Sequence, residues 1–123
     1  MFIKKLSDCP TITAGDNTAL KVIIHPDHDP LDISYSFAHA IVKPGETSYE
    51  HLLTTSETYY ILQGSGVMHI NDEHSDVNAE ECIFIPSMSR QSISNTGNND
   101  LVFLCIVEPA WKVENEKVFY NKS

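Results

Sequence analysis

The chain has a single arginine, Arg90, and only 8 lysine and arginine residues against 17 aspartates and glutamates, a formal net charge of −9. Nucleic acids and anionic membranes need clustered cations, so both are poor partners for it. Cysteine is equally sparse. Cys9, Cys82 and Cys105 are odd in number and widely spaced, and no Cys-x-x-Cys pair occurs. That argues against a disulfide framework and a structural zinc site. Cys82 and Cys105 lie inside apolar runs and read as buried thiols rather than nucleophiles. Long hydrophobic runs are missing too. No stretch reaches the roughly 18 apolar residues of a membrane helix, and the start, Met1 to Pro10, lacks the apolar run of a signal peptide. These absences lead to the expectation of a cytoplasmic protein with neither a membrane nor a nucleic-acid partner.

What is present is an ordinary globular balance, 41% apolar and 20% charged residues over 123 positions. That length suits one domain with a real core. Turn signals punctuate the chain at Asp27-His28-Asp29-Pro30, Lys43-Pro44-Gly45, Gln63-Gly64-Ser65-Gly66, Asn71-Asp72, Pro86-Ser87 and Asn95-Thr96-Gly97-Asn98-Asn99. Between them lie short β-prone runs: 20–25, 35–42, 49–53, 58–62, 67–70, 82–85, 91–94 and 101–107. Short strands at such spacing predict an all-β sandwich or barrel. No long segment has a helical period. Only the tail from Pro109 to Tyr120, which carries the lone Trp111, could hold a helical turn.

Side chains alternate faces along a strand. If His51 points inward, Tyr49 and Leu53 share its face. Past the next turn Glu57, Tyr59 and Ile61 share one face, and on a later strand Gln91, Ile93 and Asn95 do. His51, Glu57 and Gln91 then converge inside an apolar barrel. A buried carboxylate there is costly unless it is paired, hydrogen-bonded or metal-bound. His25 and His28 sit at a loop with no third ligand in register. His69 and His74 flank the Asn71-Asp72 turn and read as solvated. His39 precedes the site on an earlier strand and is a candidate acid or base if it faces the site, and Arg90, next to Gln91, falls on the opposite face by parity.

Gly45, His51, Glu57 and Gly64 stand in the register of a glycine, five residues, His-x-His, a glutamate and a closing glycine. That stretch resembles the first motif of the cupins. Leu53 stands where the motif has its second histidine. The second cupin motif runs glycine, five residues, Pro-x-Gly, two residues, histidine, three residues, asparagine. Pro86 and Asn95 keep their places in it, while Glu80 and Met88 replace its glycines and Gln91 its histidine. The resemblance covers about residues 17–111, leaving 112–123 as a tail. It implies a double-stranded β-helix, or jelly-roll barrel, over 1–123 as one domain.

By resemblance, His51, Glu57 and Gln91 fall on metal-ligand positions. Leu53 cannot bind a metal, and Gln91 offers only a neutral amide oxygen. Such an oxygen-rich, monoanionic set suits at best a weakly held divalent ion with several waters. The other reading is a polar pocket in which the three side chains hydrogen-bond to each other or to a small molecule, walled by Leu53, Tyr49, Tyr59 and Ile93. The sequence leaves both open. If the site is an enzyme's, Glu57 and Tyr59 are the candidates to move protons, in an isomerase, lyase, decarboxylase or dioxygenase type of reaction. A third reading is a scaffold. The resemblance also implies a homodimer, for which Phe2, Ile3, the run Leu101 to Val107 and Trp111 offer apolar surface.

Overall fold

The computed structural model describes residues 1–120, so the last three residues of the expected tail lie outside the described residues. Eleven strands appear: β1 (Ile12–Thr13), β2 (Ala19–Ile24), β3 (Ser36–Val42), β4 (Glu50–Leu53), β5 (Ser56–Gln63), β6 (Ser65–Ile70), β7 (Glu73–Asn78), β8 (Cys82–Ile85), β9 (Arg90–Asn95), β10 (Leu101–Glu108) and β11 (Glu116–Phe119). They form two antiparallel sheets, in the order β1-β2-β3-β10-β5-β8 and β11-β4-β9-β6-β7. This is the all-β jelly-roll barrel that the strand spacing and the motifs predict. Helix is confined to single 3₁₀ turns at Leu6–Asp8 and Val113–Asn115. The tail therefore holds one helical turn, and then a strand that the sequence reading did not include.

The period-two pattern decides what each sheet buries. On β10, Leu101, Phe103, Cys105 and Val107 point inward and are buried, while the residues between them face out. Their partners on β5 and β3 give inward rows: Ile61, Phe103 and Ala40; Tyr59, Cys105 and Ala38; Glu57, Val107 and Ser36. From the second sheet, Met68 and Ile93 lie opposite each other on β6 and β9. Ile61, Ile93, Met68, Phe103 and Leu101 fill one end of the barrel as a continuous apolar cluster. The rows that carry Glu57 and Tyr59 lie towards the other end.

Asn95, the asparagine of the second motif, is a turn organiser. Its side-chain amide donates to the carbonyls of Val42 and Asn99, both at 2.8 Å, and its oxygen accepts from the Gly97 N–H at 2.9 Å. Gly64 has φ +93°, and a Cβ there would stand 2.8 Å from the Asp100 carbonyl oxygen, so only glycine fits without movement. Cys82 corrects the sequence reading. It lies on the outer face of the edge strand β8 and is exposed, whereas Cys9 and Cys105 are buried. An apolar run on an edge strand does not imply two buried faces.

Candidate ligand pocket at one end of the barrel

The unfilled end of the barrel holds a cavity of about 230 Å³. His51 and Gln91 face each other directly across β4 and β9. Glu57 and Tyr59 come from β5 in the opposite sheet. The Tyr59 hydroxyl donates to the Gln91 amide oxygen at 3.1 Å, and the Gln91 amide is hydrogen-bonded to the Glu57 carboxyl. His51, Glu57 and Gln91 are all buried. The structure thus brings together the three polar side chains that parity selects. Leu53 and Tyr59 line the cavity wall.

Tyr49 and Ile93 do not line it. Tyr49 precedes β4, so strand parity does not govern it. Its N–H donates to the Asp16 carbonyl and its ring meets Tyr120 edge-on, 5.6 Å between centroids. Ile93 shares Gln91's face but lies two residues farther along the strand, about 6–7 Å on, inside the packed apolar cluster. Neither His39 nor Arg90 reaches the cavity. His39 stands on the outer face of β3 beside Lys21, and burial first, then that neighbouring charge, lower its pKa. The Arg90 guanidinium lies 2.6 Å from Glu50 and 3.9 Å over the Phe119 ring.

Two ionisable cavity residues, Asp16 and Glu116, were not singled out in the sequence. Asp16 sits in the loop between β1 and β2, its carboxylate accepting from the Thr18 N–H (3.2 Å) and hydroxyl (2.7 Å). Its other oxygen lies 3.7 Å from His51 Nδ1, which is 3.2 Å from the Tyr49 carbonyl. Glu116 arrives on β11, opposite Leu53. The Trp111 indole donates to its carboxylate. His25, read from sequence as a loop residue, is buried at the cavity rim. Its Nδ1 accepts the Asp27 N–H at 3.0 Å, so Nε2 carries the proton and donates to the Trp111 carbonyl at 2.8 Å. Neither Asp16 nor Glu116 belongs to a cupin motif. Only long-range pairing places them, and no local pattern announces it.

The electrostatics follow from burial. The Glu57 carboxyl is pushed up to about 8, mainly by burial and then by the charge of Asp16, against the opposing Gln91 hydrogen bond. Glu57 is therefore largely protonated at neutral pH. Its Oε1 atom has no hydrogen-bond partner among the described residues. Burial also raises Glu116, with Asp16 adding to the rise while His51 and Trp111 oppose it. The Tyr59 hydroxyl and the Cys105 thiol are raised by burial and then by Glu57, so both stay protonated.

The chain belongs to the cupin domain family, whose family model matches residues 38–107. It is 33% identical over 110 residues to the uncharacterised protein MJ1618 of Methanocaldococcus jannaschii, covering 89% of this chain and 86% of that one. Among solved structures it superposes with TM-score 0.77 on a predicted oxalate decarboxylase from Thermotoga maritima. That pair is 25% identical, and the match covers 88% of this chain and 99% of the other. The nucleoside dehydratase Pac13 of Streptomyces matches with TM-score 0.80 at 20% identity, covering 100% of this chain and 94% of its own, a likeness of fold alone. No helix among the described residues is long and apolar enough to cross a membrane.

Proposed function

We propose that this cupin binds a small polar molecule inside the barrel through hydrogen bonds, without a tightly held metal ion. The observation that carries the reading is the buried Glu57 Oε1, which has no partner among the described residues, on a side chain that lines the cavity. A buried polar atom left unpaired costs about 1–3 kcal/mol, and an incoming ligand removes that cost. At about 230 Å³ the cavity is smaller than a drug-sized pocket of roughly 300–1,000 Å³. It suits a molecule about the size of a single ring.

The donor set does not fit a metal well. Leu53 supplies hydrocarbon where an imidazole is needed. The Gln91 amide oxygen already accepts from Tyr59, and its amide nitrogen is turned to Glu57. Among the described residues no three His, Cys, Asp or Glu side chains are grouped to hold a metal ion. At the family's ligand positions what remains is one imidazole and a mostly protonated carboxyl, a weak pair for any divalent ion. Protein-side chemistry, if the ligand reacts, falls to Glu57, which can give a proton near neutral pH, and to His51, which Asp16 and the Tyr49 carbonyl orient.

The test is occupancy of the cavity. Benzyl alcohol should give saturable shifts of the His51 and Tyr59 ring signals in an NMR titration. In a folded Ala40→Leu variant, which puts a larger side chain into the cavity wall, the same titration should give none. Equal shifts in both proteins would place binding elsewhere and overturn the reading.

A further inference from the structure

We infer that the cavity selects a small organic cation, a protonated amine carried on an apolar body. The inference rests on reading the cavity as a ligand pocket, and it names the ligand class. Three carboxyl groups reach the cavity from three separate places: Asp16 from the β1–β2 loop, Glu57 from β5 and Glu116 from β11. Among the described residues no lysine or arginine lines it. Nearby cations are committed elsewhere. Arg90 is engaged by Glu50 and Phe119 on the outer face, and Lys4 by Asp29 at 2.8 Å and the Ile23 carbonyl at 3.0 Å.

The histidines do not reverse this balance. Both ring nitrogens of His25 are taken up by the protein, Nδ1 accepting a backbone N–H while Nε2 donates to a carbonyl. His28 stacks on His25, 4.8 Å between ring centroids, and is exposed at the rim. His51 stands beside Asp16. A carboxylate ligand such as a dicarboxylic acid would therefore be desolvated beside Asp16 and Glu116, with no guanidinium or ammonium among the described residues of the cavity wall to offset that cost. The cavity thus does not suit the dicarboxylate substrate of the predicted oxalate decarboxylase from Thermotoga maritima.

An amine meets the site's surplus of acceptors. Its three N–H donors match Glu57 Oε1, which has no partner among the described residues, and the carboxylates of Asp16 and Glu116. A neutral hydroxyl brings one donor and leaves the rest of that surplus unmet. Most of the remaining wall is apolar, with Leu20, Val22, Leu53, Phe103 and Val107, and Thr13, Thr18 and Ser36 add hydroxyl groups. The Tyr59 and Phe103 rings, 4.5 Å apart, together with Trp111 at the rim, add aromatic faces that attract cations.

The test compares three probes of one shape at pH 7: benzylamine, benzyl alcohol and benzoate, titrated calorimetrically into the purified protein. Benzylamine should bind about tenfold tighter than benzyl alcohol, as a charge-assisted hydrogen bond predicts, and benzoate should not bind. Raising the salt concentration should weaken the amine and leave the alcohol unaffected. In Glu116→Gln the ratio of amine to alcohol affinity should shrink several-fold. Alcohol binding as tight as the amine, or any benzoate binding of similar strength, overturns the inference but leaves the pocket reading standing. Failure of all three probes to bind the wild type takes both down.

Discussion

At Glu80 and Met88 the backbone is left-handed, with φ +71° and +66°. These are the two positions where the second cupin motif has glycine. The turns have kept glycine's geometry while the residues have changed. A side chain in that region costs about 1–2 kcal/mol, partly offset by the extra freedom a glycine loses on folding. Both side chains are exposed, so little packing is lost with them. Glu80→Gly and Met88→Gly should each raise stability by about 0.5–1 kcal/mol in urea unfolding, and the pair should add. Glu57 makes the opposite kind of compromise. Its pKa of about 8, against an ordinary 4.5, means the folded state holds this proton more tightly than the unfolded chain. The contribution is therefore most favourable below pH 4.5, is lost as pH rises towards 8, and then levels off, with a slope up to about 1.4 kcal/mol per pH unit. Glu116 shifts in the same direction. Glu57→Gln should flatten most of this slope. Urea unfolding at pH 5 and pH 8.5 should show the variant gaining on wild type at the higher pH, and an unchanged difference would show that Glu57 is not buried as described.

At the scale of strands, β4 and β9 deliver the two vacated ligand positions to one place. His51 faces Gln91 directly, and Leu53 follows two residues on, with its side chain on the same face. The double change Leu53→His with Gln91→His should therefore complete a four-ligand set with His51 and Glu57. Nickel or zinc affinity should rise at least about tenfold over wild type by calorimetry. The change should cost about 1–3 kcal/mol in chelator, part of it recovered by metal bound to the folded state. A folded double variant with no gain in affinity would mean that the four side chains do not converge. Such strands were legible because they alternate apolar and polar residues between clear turns. β7, Glu73 to Asn78, was not, because it is a polar edge strand that buries only Val77. β11 was missed for a related reason: it is short, carries Glu116 and Lys117, and owes its place to pairing with β4 across most of the chain. The site divides the same way. Strand parity finds His51, Glu57 and Gln91, whereas Asp16 depends on a contact between its carbonyl and the Tyr49 N–H that no periodicity encodes.

At the scale of the whole molecule, the outer face of the six-stranded sheet raises the question of a partner. Strand register lines up Phe84, Thr58, Ile106 and Phe37 in one row across it, with Cys82, Tyr60, Leu104 and His39 in the next. Phe84 is 61% exposed, Leu62 44%, Tyr60 41% and Ile106 40%. One of these alone would need no explanation, but four large apolar side chains on adjacent strands form a patch of the kind that association normally covers. We propose a second copy of the chain as the occupant, because a face with few charges can meet itself about a twofold axis without like-charge repulsion. The alternating burial of β10 also narrows the apolar run proposed for the interface. Its odd-numbered residues, Leu101 to Val107, belong to the interior, and only Val102, Leu104 and Ile106 face outward. Ile106→Glu should therefore leave the barrel folded while placing a carboxylate in the centre of the contact. Light scattering at micromolar concentration should give wild type a mass twice the chain's 13.8 kDa and the variant a mass close to one chain. A wild type that already runs as a monomer would refute the dimer. A variant that remains a dimer would move the contact elsewhere, to Phe2 and Ile3 at the N-terminus, which are exposed as well.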